Sequence, residues 1–182
     1  MSLKIETGKF KNQSIEMVNN SRTRYTPAKI RRALMSMFDF SNANILEFFA
    51  GSGIVSFEAL SNGARKAILI DISSKSVSSI LKNAKKLSVL KNVKVINSDF
   101  RKSISKISQE KFDYIFADPP FNNNYVEEIL KFISHNGDIL EDNGFLIIEK
   151  HKNEQYGYSS KIMEEPEIRK YGDIEILIFR KK

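Results

Sequence analysis

The sequence predicts an α/β fold: a mostly parallel sheet, covered by helices on both faces, with an antiparallel strand at one edge. Three observations carry that expectation. From about residue 44 onward, continuous apolar runs alternate with segments of helical period. Runs that are apolar at every position, rather than every second one, belong to strands buried on both faces, the environment of a parallel sheet. A glycine loop follows the first run, and the last run follows a turn signal without a clear helix before it, so the chain ends in a hairpin.

"LKIETGKFKNQSIEMV" alternates loosely around Thr7-Gly8-Lys9 and reads as a small N-terminal β-hairpin. In "SRTRYTPAKIRRALMSMFDF", Thr26 suits a helix N-cap and Pro27 a first helical position. Ile30, Ala33, Leu34, Met37 and Phe38 follow at helical spacing, which leaves Arg31 and Arg32 facing solvent or a partner. "NILEFF" (44–49), "KAILID" (66–71), "VKVINSD" (93–99), "FDYIFAD" (112–118) and "GFLIIEK" (144–150) are the buried strands. Between them, 73–87 places Val77, Ile80, Leu81, Ala84 and Leu87 on one helical face, and 125–133 turns Ile129, Leu130 and Ile133 inward. "DIEILIF" (173–179), after Tyr171-Gly172-Asp173, is the antiparallel edge.

The 182 residues suffice for one domain with a substantial core. The absence of cysteine removes disulfides, thiolate zinc sites and cysteine nucleophiles together, and two histidines make a histidine-rich metal site unexpected. No run approaches the roughly 18–20 apolar residues of a membrane span, and "MSLKIETGKF" lacks the apolar stretch of a secretory signal. The expectation is a cytoplasmic, metal-free protein without a membrane partner. The formal charge of +7 is unevenly spread: residues 1–40 carry a net +5 and 75–106 a net +8, leaving −6 elsewhere. Gathered basic charge suits a surface facing phosphates. The lysines of 75–106 fit a solvated helix face equally well.

"ILEFFAGSGIVSFEAL" sets Ala50-Gly51-Ser52-Gly53 between a strand and a helix, where glycines allow a tight turn and close approach of a ligand to the backbone. A dinucleotide fingerprint wants a third small residue three positions on; Ser56 stands there, and the pyrophosphate reading loses ground. Asp71 closes the next strand and suits ribose hydroxyls, Asp99 ends the third strand, and Glu47, Gly51, Gly53, Asp71, Asp99 and Asp118 gather at the carboxyl edge, where such sheets bind ligands. This is a site for a nucleoside-containing cofactor. At that same edge "FDYIFADPPFNNNY" ends a core strand on an acid, two prolines and an aromatic. Proline terminates strands by itself, so a chemical role needs further support.

That support comes from a resemblance. "TRYTPAKIRRALMSMF", "ILEFFAGSGIVSFEALSNGA", "DPPF" and "RKYGDIEILIF" stand in the order and spacing of the RsmD family, and the likeness covers nearly the whole chain. Members of that family methylate the exocyclic N2 of one guanine in bacterial 16S ribosomal RNA. The resemblance implies a Rossmann-like fold of the S-adenosylmethionine-dependent methyltransferase class, with 1–40 as a substrate-contacting extension of one methyltransferase domain and 41–182 as its cofactor-binding catalytic core. It implies S-adenosyl-L-methionine held by Glu47, Phe49, Ala50, Gly51, Gly53, Asp71, Ile72, Asp99 and Phe100. Catalysis falls to Asp118, Pro119, Pro120 and Phe121, and RNA contacts to Arg22, Arg24, Thr26, Arg31 and Arg32. The partner is 16S ribosomal RNA, alone or within the small subunit, and the expected state is a monomer. Glu47 replaces the family's usual aspartate, Tyr25 a usual proline and Arg32 a usual acid.

The motif suits an amine. An exocyclic base amine is a poor nucleophile, because its lone pair is delocalised into the ring. Acceptors that hold both N–H groups free that pair, and the expectation is that Asp118 supplies one acceptor and the Pro119 carbonyl the other, with Phe121 as a stacking face. Three alternatives share some of these features: an adenine-N6 methyltransferase on DNA or RNA, a non-catalytic ribosome-assembly protein that binds RNA, and a nucleotide-linked dehydrogenase.

Overall fold

The structure, a computed structural model, describes residues 2–18, 24–157 and 160–182. Its main sheet has seven strands: β3 (Asn44–Phe48), β4 (Lys66–Asp71), β5 (Val93–Asn97), β6 (Phe112–Ala117), β7 (Leu140–His151), β8 (Glu167–Tyr171) and β9 (Ile174–Arg180). They lie in the order β5-β4-β3-β6-β7-β9-β8. The five strands from β5 to β7 are parallel, whereas β9 runs antiparallel to both β7 and β8. A mostly parallel sheet with an antiparallel edge is what the apolar runs predicted. The terminal hairpin turns at Gly172, whose φ of +66° suits glycine.

The helices α1 (Ala28–Met37), α2 (Ile54–Ser61), α3 (Ser74–Lys86), the short α4 (Ile104–Ile107) and α5 (Tyr125–His135) cover the sheet. Alternate strand residues enter opposite cores. Ile45 and Leu69 pack with Ile30, Leu34, Phe57 and Ile80 on one face. Leu46 and Ile68 pack with Ile129, Ile133 and Phe179 on the other. A small antiparallel ribbon, β1 (Ser2–Lys4) with β2 (Ser14–Glu16), adds Ile5 and Ile15 to the first core.

The chain runs from β3 through β4 to β5, then returns to the other side of β3 with β6. The strand order therefore switches between β3 and β6, and the crevice opens at their carboxyl ends. Register sets what lines it. Phe48 pairs with both Ile70 and Ala117, and Ala117 pairs with Ile148. The next residue on each strand consequently stands at one level: Phe49, Asp71, Asp118 and Glu149.

Three features depart from expectation, two of them because of the ribbon. Arg31 does not face solvent: it is 3% exposed, and its guanidinium donates to Glu58 Oε1 at 3.1 Å, Thr26 O at 2.6 Å, Lys4 O at 2.9 Å and Glu6 Oε1 at 3.3 Å. Its expected contact with RNA is corrected to a structural clasp between ribbon, α1 and α2. Leu81 is 45% exposed rather than inward. The buried stripe of α3 includes Ser76, Ile80, Asn83 and Ala84, because Asn83 grips the ribbon: its Oδ1 accepts Glu16 N–H at 2.7 Å and its Nδ2 donates to Glu16 O at 3.0 Å and Ser52 O at 3.2 Å. Thr26 does not cap α1, which begins at Ala28 with Pro27 in the cap position and no side-chain cap bond. Proline's fixed φ starts the helix without that help.

Candidate active site

The loop after β3 turns on three consecutive devices. Phe49, Gly51 and Gly53 have φ of 55°, 54° and 78°, and the Ala50 carbonyl accepts Gly53 N–H at 2.7 Å. A Cβ on Gly53 would stand 2.8 Å from both Leu69 Cδ2 and Phe57 Cε2, so this position takes glycine for space as well as for conformation. Gly51 N–H donates to Asp71 Oδ2 at 2.8 Å, and Ser73 N–H donates to Asp71 Oδ1 at 2.8 Å. Each carboxylate oxygen thus keeps a lone pair for a further donor.

Two adjoining cavities share Phe49, Asp71 and Ile72. The smaller, about 60 Å³, is completed by Ile70, Ser98, Asp99, Phe100 and Tyr125. The larger, about 360 Å³, runs from Gly51, Ser73 and Ser76 to Arg24 and Asp118–Phe121. An apolar slot with an acid at its rim, opening into a cleft, has the shape and chemistry of a site for a nucleoside with a polar extension. Ile72 stands 72% exposed at the junction, an apolar side chain with a face free for a ring. Asp99 is not at the end of a strand; β5 stops at Asn97, and Asp99 caps the turn that follows, accepting Arg101 N–H at 2.9 Å and holding the Arg101 guanidinium.

Glu47 stands apart from the large cleft. It is buried within β3, its Oε2 accepts the N–H and the hydroxyl of Ser56, and burial pushes its carboxyl up to about 8. It meets Asp118 and Glu149 around a smaller cavity of about 20 Å³ beneath them.

At the other end of the cleft, β6 stops and Pro119 and Pro120 carry the chain outward. The loop that follows is asparagine-rich for a conformational reason: Asn122 and Asn124 have φ of 59° and 57°, which asparagine tolerates best after glycine. Asn123 Nδ2 donates to Phe121 O at 2.7 Å. Phe121 is half-buried, and the Arg24 guanidinium lies on its ring, Cζ 3.3 Å from the centroid. That guanidinium also faces two acids. Arg24 Nη2 donates to Glu149 Oε1 at 2.8 Å and reaches Asp118 Oδ1 at 3.4 Å. Thr26, buried, directs its hydroxyl to Asp118 Oδ2 at 3.4 Å. Burial raises Asp118 to about 6 against the opposing pull of Arg24, and burial with the neighbouring Asp118 charge raises Glu149 to about 8.

The expected residues therefore divide. Phe49, Ala50, Gly51, Asp71, Ile72, Asp99 and Phe100 lie in or beside the two cavities, and Asp118–Phe121 line the cleft. Arg24 and Thr26, expected on RNA, are drawn into the acid cluster; Arg32 is exposed beside Glu6 at 2.6 Å. Arg22 lies outside the described residues. Sequence reasoning missed Glu149. An acid that follows "FLII" within a buried strand was the available signal.

Comparison with known proteins adds the lineage. A family model described as conserved hypothetical protein 95 matches residues 3–180. A Rickettsia prowazekii (strain Madrid E) protein described as an uncharacterized methylase is 27% identical over 98% of this chain and 97% of its own. Ribosomal RNA small subunit methyltransferase D of Buchnera aphidicola subsp. Acyrthosiphon pisum is 30% identical, over 82% of this chain and 78% of its own. A solved structure from Escherichia coli superposes with a TM-score of 0.85 at 22% identity, covering 100% of this chain and 99% of that one, a likeness of fold. Among the described residues, no helix is long and apolar enough to cross a membrane.

Proposed function

Because this chain belongs to the RsmD family, which the conserved hypothetical protein 95 model and the methyltransferase D relatives mark out, we propose that it methylates the exocyclic N2 of a guanine in bacterial 16S ribosomal RNA, using S-adenosylmethionine. The observation that carries the reading is the meeting, along one cleft, of a nucleoside-shaped cavity at Asp71 with Asp118 and the Phe121 ring.

S-adenosylmethionine, when bound, supplies a methyl carbon made electrophilic by the positive sulfur beside it. Asp71 would take the ribose hydroxyls, the Phe49–Ile72–Phe100 slot the adenine, and the loop at Gly51 the polar end. Asp118 accepts an N–H of the target amine, which weakens the delocalisation of the nitrogen lone pair into the base. A carboxyl near 6 is ionised at neutral pH yet close enough to hold the proton that the amine sheds. The two prolines fix that oxygen against the cleft without a flexible linker. Phe121 offers a stacking face worth about 1–3 kcal/mol per base. The amine must leave any pairing to reach this depth, so the guanine enters unstacked or from a loop. Arg32, exposed on α1, is our candidate for a phosphate contact, and Arg22 completes the basic stretch before it.

The test is labelled methyl transfer from S-adenosylmethionine to deproteinised 16S RNA and to small subunits lacking the mark, each digested to nucleosides. N2-methylguanosine is the expected product. N6-methyladenosine would assign the adenine reading instead, and neither product on either substrate would overturn both. Asp118→Ala should bind RNA but transfer no methyl.

A further inference from the structure

The position of Arg24 describes what the site is shaped to hold. A guanidinium is a planar carbon bearing NH₂ groups, and guanine carries the same fragment at C2 with its exocyclic N2. In the structure the Arg24 guanidinium carbon lies over the Phe121 ring, 3.3 Å from its centroid, where the target base would stack. One nitrogen of that guanidinium, Nη2, addresses two acids at once: Glu149 Oε1 at 2.8 Å and Asp118 Oδ1 at 3.4 Å. A planar NH₂ group with one hydrogen towards each carboxyl is the bonding that the methylated amine needs.

We infer that Arg24 Nη2 occupies the seat of the target amine in the free protein, and that Glu149 is a further acceptor that grips this amine beside Asp118. Three further observations fit. Glu149 is 4% exposed, on the small cavity that it shares with Asp118 and Glu47 next to the cleft, so its carboxyl is placed by the fold and not by solvent. Its Oε2 is buried without a hydrogen-bond partner among the described residues, as expected of an acid whose neighbourhood is completed by a ligand. Register sets Asp118 and Glu149 side by side, one step past the Ala117–Ile148 pair. The two N–H bonds would then lie in the plane of the base. Phe121 covers one face of that plane, which leaves attack at the nitrogen to come from the other. The base displaces the Arg24 head, which is 44% exposed and free to move outward.

The inference rests on the methyltransferase reading, and its test separates the two. Steady-state methyl transfer to 16S RNA is measured for the full chain and for Glu149→Gln, Glu149→Asp and the double variant Asp118→Asn/Glu149→Gln. Because the grip acts on the amine as it becomes nucleophilic, Glu149→Gln should lower kcat on the order of 10²-fold with KM for RNA little changed, by analogy with removal of one transition-state hydrogen bond. Glu149→Asp keeps the carboxyl but withdraws the oxygen by a methylene, and should lose kcat as well; it serves if the glutamine variant folds poorly. The double variant should lose little more than the worse single one, since both groups hold one amine. Wild-type activity together with a kcat within threefold in both Glu149 variants would overturn the inference and leave the enzyme reading intact. A fall confined to KM, or losses that multiply in the double variant, would overturn it too. Absence of transfer by the wild-type chain would instead sink the reading beneath it.

Discussion

Replacing Arg31 by methionine tests whether the ribbon, α1 and α2 are held by one buried ionic clasp. Arg31 is 3% exposed and Glu58 fully buried. The substitution keeps the apolar stem of the side chain but leaves Glu58 as a buried charge without its cation. Removing one member of such a pair costs about 3–5 kcal/mol. The lower end applies to the acid, because Glu58 still accepts Glu6 N–H at 2.8 Å and the Thr7 N–H and hydroxyl at 3.3 Å. The carbonyls of Thr26 and Lys4 also lose their donors, at roughly 1 kcal/mol each. The sum is about 5 kcal/mol, a large share of the ~5–15 kcal/mol that stabilises a domain. With a urea slope of about 2 kcal/mol per molar, the unfolding midpoint should fall by about 2.5 M. Glu58→Gln alone should cost about 3 kcal/mol, and the double variant should be milder than the sum of the singles by about 2 kcal/mol or more. Urea titrations followed by circular dichroism measure all three. A loss under about 1 kcal/mol for Arg31→Met, or strict additivity, would mean that solvent screens the pair, and the clasp would be no more than a surface contact.

Three other outcomes follow from the same geometry. Burial raises Glu47 from 4.5 to about 8, so the folded state holds its proton more tightly than the unfolded chain; stability should fall as pH rises from about 4.5 to 8 and level off above that. Urea midpoints of the wild type and Glu47→Gln should therefore separate in the variant's favour towards pH 8, and a gap that stays constant with pH would refute the burial argument. For Asp118, held near 6 chiefly by burial, the acceptor form grows with pH, and kcat for methyl transfer should climb as pH passes through about 6; a flat profile from pH 5 to 8 would remove its ionisation from the rate. Gly53→Ala meets both a φ of +78° and 2.8 Å contacts with Leu69 and Phe57. It should cost about 2–4 kcal/mol and weaken S-adenosylmethionine binding by calorimetry, and a variant as stable as the wild type would show that the loop relaxes freely.

What could be read from the sequence, and what could not, follows a physical line. Apart from β8, the strands of the sheet, the glycine loop and the acid-proline turn are encoded locally, in apolar runs and in residues with restricted or permissive backbones, so they stand in the structure close to where they were expected; β8 (Glu167–Tyr171), which no apolar run announces, takes the edge outside the strand at 173–179 that was expected there. Arg31 and Glu149 are non-local. On α1, Arg31 and Arg32 are neighbours about 100° apart on the helix; which of them turns inward depends on Glu58, and an acid in the middle of the fully buried α2 was the readable demand for a cation. Glu149 stood inside the expected strand 144–150 with only the apolar run before it to single it out. β7 continues through it to His151, where β9 pairs alongside with Ile176 opposite Glu149, and the antiparallel pairing buries the acid. The parallel register of β6 and β7 sets that acid level with Asp118. The antiparallel β9 thus does more than extend the sheet: by pairing along β7 past the level where β6 stops, it keeps the Glu149 carboxyl buried next to that of Asp118, the pair on which the proposed grip rests.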